Sequence, residues 1–184
     1  LGTFKSCNKQ SIILIIVGSV LVVGGLIFSI ILTFYIAYQV YKNTLLRQTP
    51  ESWGRVCSAP NHPEQSKMWD EGLEWGKQNK QYMKEVEIRS KEGLKLVGEF
   101  FDFGHKKTVI ILSGRCECLW YGYYYALPYQ KSNCNVLVID ARAHGNSEGK
   151  YSTAGIKESD DVVRWMEYLE KEFGQEKIVL HCIC

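Results

Sequence analysis

The chain has 184 residues, a net charge of +2, and 46% hydrophobic and 12% aromatic residues. That length accommodates one domain with its own core. The near-balanced charge argues against a nucleic-acid partner, and the aromatic share argues against a disordered chain. Seven cysteines at irregular spacing do not make the even-numbered framework of a small disulfide-stapled domain. Cys116-x-Cys118 and Cys182-x-Cys184 are spaced more tightly than the pairs that ligate zinc, so no metal site is expected. "SGRCEC" (Ser113–Cys118) lacks the G-x-G-x-x-G that lets a backbone approach phosphates, so no cofactor is expected.

The first element is the run from Ser11 to Tyr41, which contains no charged residue. A membrane span needs about 20 apolar residues, and the apolar part of a cleaved signal peptide is shorter. The run is therefore read as a retained single-pass transmembrane helix whose partner is the lipid bilayer. Tyr35, Tyr38 and Tyr41 supply amphipathic rings suited to an interface. Lys5 and Lys9 precede the run, while Lys42, Arg47 and Arg55 follow it. Charge therefore does not decide which side of the membrane the remaining residues occupy. The expected organisation is a tail (1–10), the membrane helix (11–41), a proline-containing linker (42–65) and an α/β domain (66–184).

Within that domain a helix is expected from Glu64 to about Asn79, with Met68, Leu73 and Trp75 facing inward. Lys84–Ser90 and Leu94–Phe103 alternate as strands do, and Gly93 provides the hairpin turn between them. Lys107–Gly114, Asn135–Asp140 and Lys177–Leu180 are continuous apolar strands, the pattern of a parallel sheet covered on both faces. Between them, Leu119–Gln130 reads as an aromatic helix. Thr153–Phe173 reads as a second helix, with Val162, Met166, Leu169 and Phe173 on one face and Gly174 as its stop. The tyrosines between 121 and 125 are read as core packing. Ligands of such sheets sit beyond the carboxyl ends of the strands, here Ser113–Gly114, Asp140 onward, and His181–Cys184.

Those three strand ends carry a resemblance. "LSGR" (Leu112–Arg115), "DARAHGNSEG" (Asp140–Gly149) and "HCIC" (His181–Cys184) resemble the H-G-x, D-x-R-G-H-G-x-S-x-G and G-x-S-x-G stretches of α/β-hydrolases. The likeness is to a membrane-anchored bacterial branch related to serine aminopeptidases and monoacylglycerol lipases. It covers about Glu85 to Cys184, the N-terminal half of that fold. Asp140, Arg142, His144, Gly145, Ser147 and Gly149 stand in the middle motif, where the resemblance implies a structural role. Gly114 and Arg115 stand in the oxyanion loop. Cys184 stands at the nucleophile position and Cys182 at the elbow's first glycine. Ser113 replaces the loop's histidine, and Ala143 replaces a glycine.

The resemblance implies a hydrolase of small ester, amide or lipid substrates. In that family the catalytic acid and histidine follow the nucleophile, and no residue follows Cys184. The chain is therefore expected to be a truncated or fragmentary copy, inactive by itself. The alternative is a non-catalytic membrane-tethered remnant or binding module.

Overall fold

The computed structural model describes residues 2–47, 63–115 and 117–183. Most of the expected linker, and Cys184, lie outside the described residues. The chain divides into two units, Leu1–Thr44 and Leu45–Cys184. The first unit is a single helix, α1 (Gly2–Thr44). The stretch Lys9–Thr44 is long and apolar enough to cross a membrane, and large apolar side chains such as Leu14 and Phe34 are exposed all along it.

The second unit is built on one five-stranded sheet in the order β1-β2-β4-β3-β5. β1 (Met83–Arg89) and β2 (Lys95–Phe101) form an antiparallel hairpin. Its turn needs Gly93, which sits at φ +84° and donates its N–H to the Ser90 carbonyl at 3.0 Å. β3 (Lys107–Leu112), β4 (Asn135–Ile139) and β5 (Lys177–Cys182) are mutually parallel, with β3 between the other two. The five expected strands are all present, and the three apolar ones pair as expected.

The alternation of side chains along β3 and β4 divides the core into two layers. Val109, Ile111, Val136 and Val138 face one layer with Phe101, Trp75 and Tyr123. Ile110, Leu137 and Ile139 face the other with Phe100, Trp165 and Leu169. Helix α2 (Pro63–Gln78) contributes Trp75 to the first layer, and helix α4 (Ile156–Phe173) contributes Trp165 and Leu169 to the second.

The helices differ from expectation in detail. On α2 the fully buried positions are Trp69, Gly72, Trp75 and Gly76, whereas Met68 and Leu73 are only half-buried. The glycines explain the shift. A Cβ at Gly72 would stand 2.8 Å from the Tyr124 backbone nitrogen, and one at Gly76 would meet the Tyr123 ring. The helix therefore presses its glycine face, not its aliphatic one, onto the tyrosine segment. That segment is not one α-helix. Leu119–Tyr125 winds as a 3-10 helix, and only Ala126–Lys131 (α3) is α-helical. Cys118 is disulfide-bonded, which the irregular cysteine spacing did not announce.

α4 begins at Ile156, where the Glu158 carboxylate accepts the Thr153 and Gly155 N–H groups at 2.8 and 3.0 Å. It ends at Gly174, whose left-handed backbone (φ +59°) lets its N–H reach the Glu170 carbonyl at 3.1 Å.

Leu169 is fully buried between α4 and the sheet. Leu169→Ala keeps a good helix former and every tryptophan probe while emptying a core site. It should cost about 2–5 kcal/mol, read as a lower urea midpoint in tryptophan fluorescence of the detergent-solubilised chain.

Candidate active site

Strands β4, β3 and β5 are parallel neighbours, so their carboxyl ends deliver three chain segments to the same edge of the sheet. The β3–β5 register sets Leu112 opposite Cys182, and the Ile183 N–H donates to the Leu112 carbonyl at 3.0 Å. Ser113–Arg115 and Ile183 therefore leave the sheet side by side. Cys184 follows directly in sequence and lies outside the described residues.

The β3 end is held by an anion of its own. The buried Gly114 donates its N–H to the Glu117 carboxylate at 2.8 Å, while Glu117 returns its N–H to the Gly114 carbonyl at 3.2 Å. Arg115 is exposed at the outer side of this turn. The Gly114 amide is thus satisfied by a carboxylate within its own turn.

The β4 end is built around Asp140, which is 2% exposed. Its carboxylate accepts the Leu119 N–H at 2.7 Å and the Asn146 N–H at 2.8 Å. Gly145, at φ +45°, lies over this carboxylate, and a Cβ there would stand 2.1 Å from its oxygens. Ser147 donates its hydroxyl to the Asp140 carbonyl at 2.8 Å and accepts the Val97 N–H at 2.9 Å, joining β4 to β2. A Cβ on Gly149 (φ +128°) would meet the Ala143 nitrogen at 2.8 Å. Ala143 itself is buried with φ +63°, a left-handed conformation that glycine adopts at less cost. This is the backbone reason for the glycine found there in the family resembled.

Arg142 is buried and makes a fork with Asp161 of α4, Nε to Oδ2 at 2.7 Å and Nη2 to Oδ1 at 2.8 Å. It also reaches Glu92 at 3.2 Å. His144 donates Nδ1–H to the Arg142 carbonyl at 2.9 Å, and its burial, the largest influence on it, pushes its pKa down and favours the neutral ring. The middle motif is thereby brought together as one hydrogen-bonded loop.

Two further residues contribute to the site without a signal in the sequence. Arg47, just past α1, donates to the carbonyls of Gly145 at 2.6 Å and Ser147 at 2.7 Å, and Leu46 forms an isolated antiparallel bridge with Tyr151. A single arginine in a polar stretch has no pattern that reveals this. The other contributor is Glu99 on β2, whose pKa is raised chiefly by burial and which accepts hydrogen bonds from the Tyr123 hydroxyl and, at 3.4 Å, from the Trp120 indole.

A cavity of about 250 Å³ opens beside these strand ends, and Ile183 and Glu117 are in its wall. Tyr124, one of the tyrosines expected to pack in the core, is 37% exposed and lines this cavity with Tyr121 and Tyr125.

No family model and no curated protein matches the chain. Solved structures do. An esterase of Pyrococcus furiosus is 34% identical over 59% of this chain and 43% of its own, with a TM-score of 0.53. A second crystal form of it gives 31% identity over 58% and 41%, with a TM-score of 0.50. An α/β hydrolase from Vibrio vulnificus is 20% identical over 72% and 45%, with a TM-score of 0.48. The chain spans less than half the length of the esterase. Over the matched stretch the described α/β unit shares the fold of part of that esterase.

Burial raises the Asp140 pKa from 3.8 to about 6, against the opposing effect of its two amide donors. A carboxyl whose folded pKa is raised stabilises the fold while protonated, and that contribution is lost as pH climbs through the folded value. Relative to Asp140→Asn, the native chain should lose roughly 3 kcal/mol of unfolding free energy between about pH 3 and pH 7, most of it between the two pKa values. Parallel urea titrations of the two proteins across that range measure it. Arg142→Ala leaves Asp161 buried without its partner and should cost about 3–5 kcal/mol in the same assay.

Proposed function

We propose that this chain supplies the nucleophile-bearing half of a membrane-anchored hydrolase of small ester, amide or lipid substrates, in the branch that resembles serine aminopeptidases and monoacylglycerol lipases. The observation that carries the reading is the 34% identity to an esterase over a shared fold. The geometry supports it. β5 delivers its end beside the Gly114 amide, in the place where an α/β hydrolase turns sharply to expose its nucleophile next to backbone N–H donors. Cys184 is the candidate nucleophile, with Gly114 and Arg115 as the oxyanion loop. Asp140, Arg142, His144, Gly145, Ser147 and Gly149 hold the neighbouring loop rather than touch substrate. A thiol beside a helix N-terminus becomes a strong acyl acceptor when a base is near. Helix α1 anchors the domain to the bilayer.

In such hydrolases the acid and histidine follow the nucleophile in chain order, so the decisive experiment supplies them. The chain is joined to the portion of the Pyrococcus furiosus esterase that follows its nucleophile strand and is assayed with a short-chain p-nitrophenyl ester. Multiple turnovers are expected. They should fall at least about 10³-fold in Cys184→Ala and rise when Cys184→Ser is combined with Cys182→Gly. A folded chimera without turnover in any version overturns the reading. The 184-residue chain alone should show equal background rates with and without Cys184→Ala.

One observation favours the second reading, a non-catalytic binding module: the Gly114 N–H already serves the Glu117 carboxylate. Under that reading the chimera stays silent while the cavity still binds ligand. For the anchor, sodium carbonate washing should leave the full chain in the membrane pellet, and its release to the supernatant would refute membrane spanning.

A further inference from the structure

We propose that the cavity between α2 and the Leu119–Tyr125 segment binds a small organic cation, an alkylammonium group, enclosed by aromatic rings and neutralised by Glu117. Four aromatic side chains, Trp69, Tyr121, Tyr124 and Tyr125, are in its wall. Trp69 and Tyr121 meet at 4.6 Å between ring centroids with their planes 52° apart, and Tyr124 and Tyr125 at 5.3 Å with planes 83° apart. Rings inclined in this way present π faces in several directions, the arrangement that attracts an ammonium ion through the ring quadrupoles.

Among the described residues in the wall, Glu117 is the one charged side chain. Its hydrogen bond from Gly114 fixes the carboxylate in place. Its field reaches the rings themselves: after burial, the Glu117 charge is the next cause that raises the phenol pKa of both Tyr121 and Tyr125. The site is therefore electronegative, and burial together with Glu117 keeps the Tyr121 and Tyr125 phenols neutral at physiological pH. At about 250 Å³ it lies below the usual range for drug-sized ligands, which suits a trimethylammonium or primary alkylammonium head with a short tail. Met68 completes the wall with a soft, polarisable thioether.

As a statement about substrate, this rests on the hydrolase reading: the cation would be a substituent of the ester or amide, seated close to where β5 ends. As a binding site it is tested without turnover, so the two ideas fail separately. The probe is choline, and its neutral counterpart is 3,3-dimethylbutan-1-ol, with a tert-butyl group in place of trimethylammonium. Calorimetric titration of the full chain in detergent should show choline binding roughly tenfold or more tighter than the alcohol.

Glu117→Gln should reduce choline affinity about fivefold or more while leaving alcohol binding unchanged, which also shows that the cavity persists in the variant. Tyr121→Leu should lose the preference for choline, and Tyr121→Phe should keep it because the ring remains. Equal binding of the two probes, no choline binding at millimolar concentration, or a full preference retained in Glu117→Gln would each overturn the proposal, whatever the chimera assay shows.

Discussion

A buried carboxylate holds the loop side of this domain together. Asp140 ends β4 inside the protein, where water cannot solvate it, and the chain answers with two backbone amides from different segments. One belongs to Leu119, which opens the 3-10 segment on one layer of the sheet. The other belongs to Asn146, in the loop that continues β4. Unpaired buried polar groups are costly, so both segments are bound to this point. Gly145 follows from the same constraint, since a side chain there would occupy the carboxylate's own space. Ser147 and Arg47 extend the network to β2 and to the residues that follow α1.

Such a network trades stability for definition. Burial opposes the ionised form of Asp140, and Glu99 adds repulsion from β2. Ala143 holds a left-handed backbone that costs about 1–2 kcal/mol in a residue with a Cβ. Arg142 and Asp161 are both buried as ions, a pairing whose desolvation cancels much of its attraction. An apolar loop would be cheaper to bury. The polar one fixes the Leu119 and Asn146 amides in single directions, toward the Asp140 carboxylate.

The same edge is shaped from the other side by α2. Its buried glycines let the helix backbone approach the tyrosine segment closely, so Trp75 and Tyr123 share a core layer while the buried Trp69 lines the cavity with Tyr121. Tight packing over one turn and open space over the next come from a single helix face. Glu117 connects this cavity to the Gly114 amide at the end of β3, because one carboxylate lines the first and accepts from the second.

The sheet was legible in the sequence because its signals are local. Continuous β-branched runs at Val109, Val136 and Ile178, alternation at Val86 and Leu96, and a glycine at position 93 each follow from backbone geometry over a few residues. The middle motif was legible as well, since its glycines mark places where a Cβ has no room. What the sequence by itself determined was therefore a membrane-length helix, the strands with their parallel pairing, and the residues gathered where the strands end.

Only the tertiary structure decided the rest. The apolar period of α2 points to Met68, Leu73 and Trp75. Trp75 is buried and Leu73 packs against the same core layer, while close approach to the tyrosine backbone adds Trp69 and Gly72 to the buried positions. The tyrosine run has the composition of a core helix, yet its winding and its partners placed Tyr124 at a cavity instead. Arg47 and Glu117 act on groups that no periodicity links to them. Amides, carbonyls and rings brought together by folding set those roles, and a side chain's partner across space leaves no trace in the order of residues along the chain.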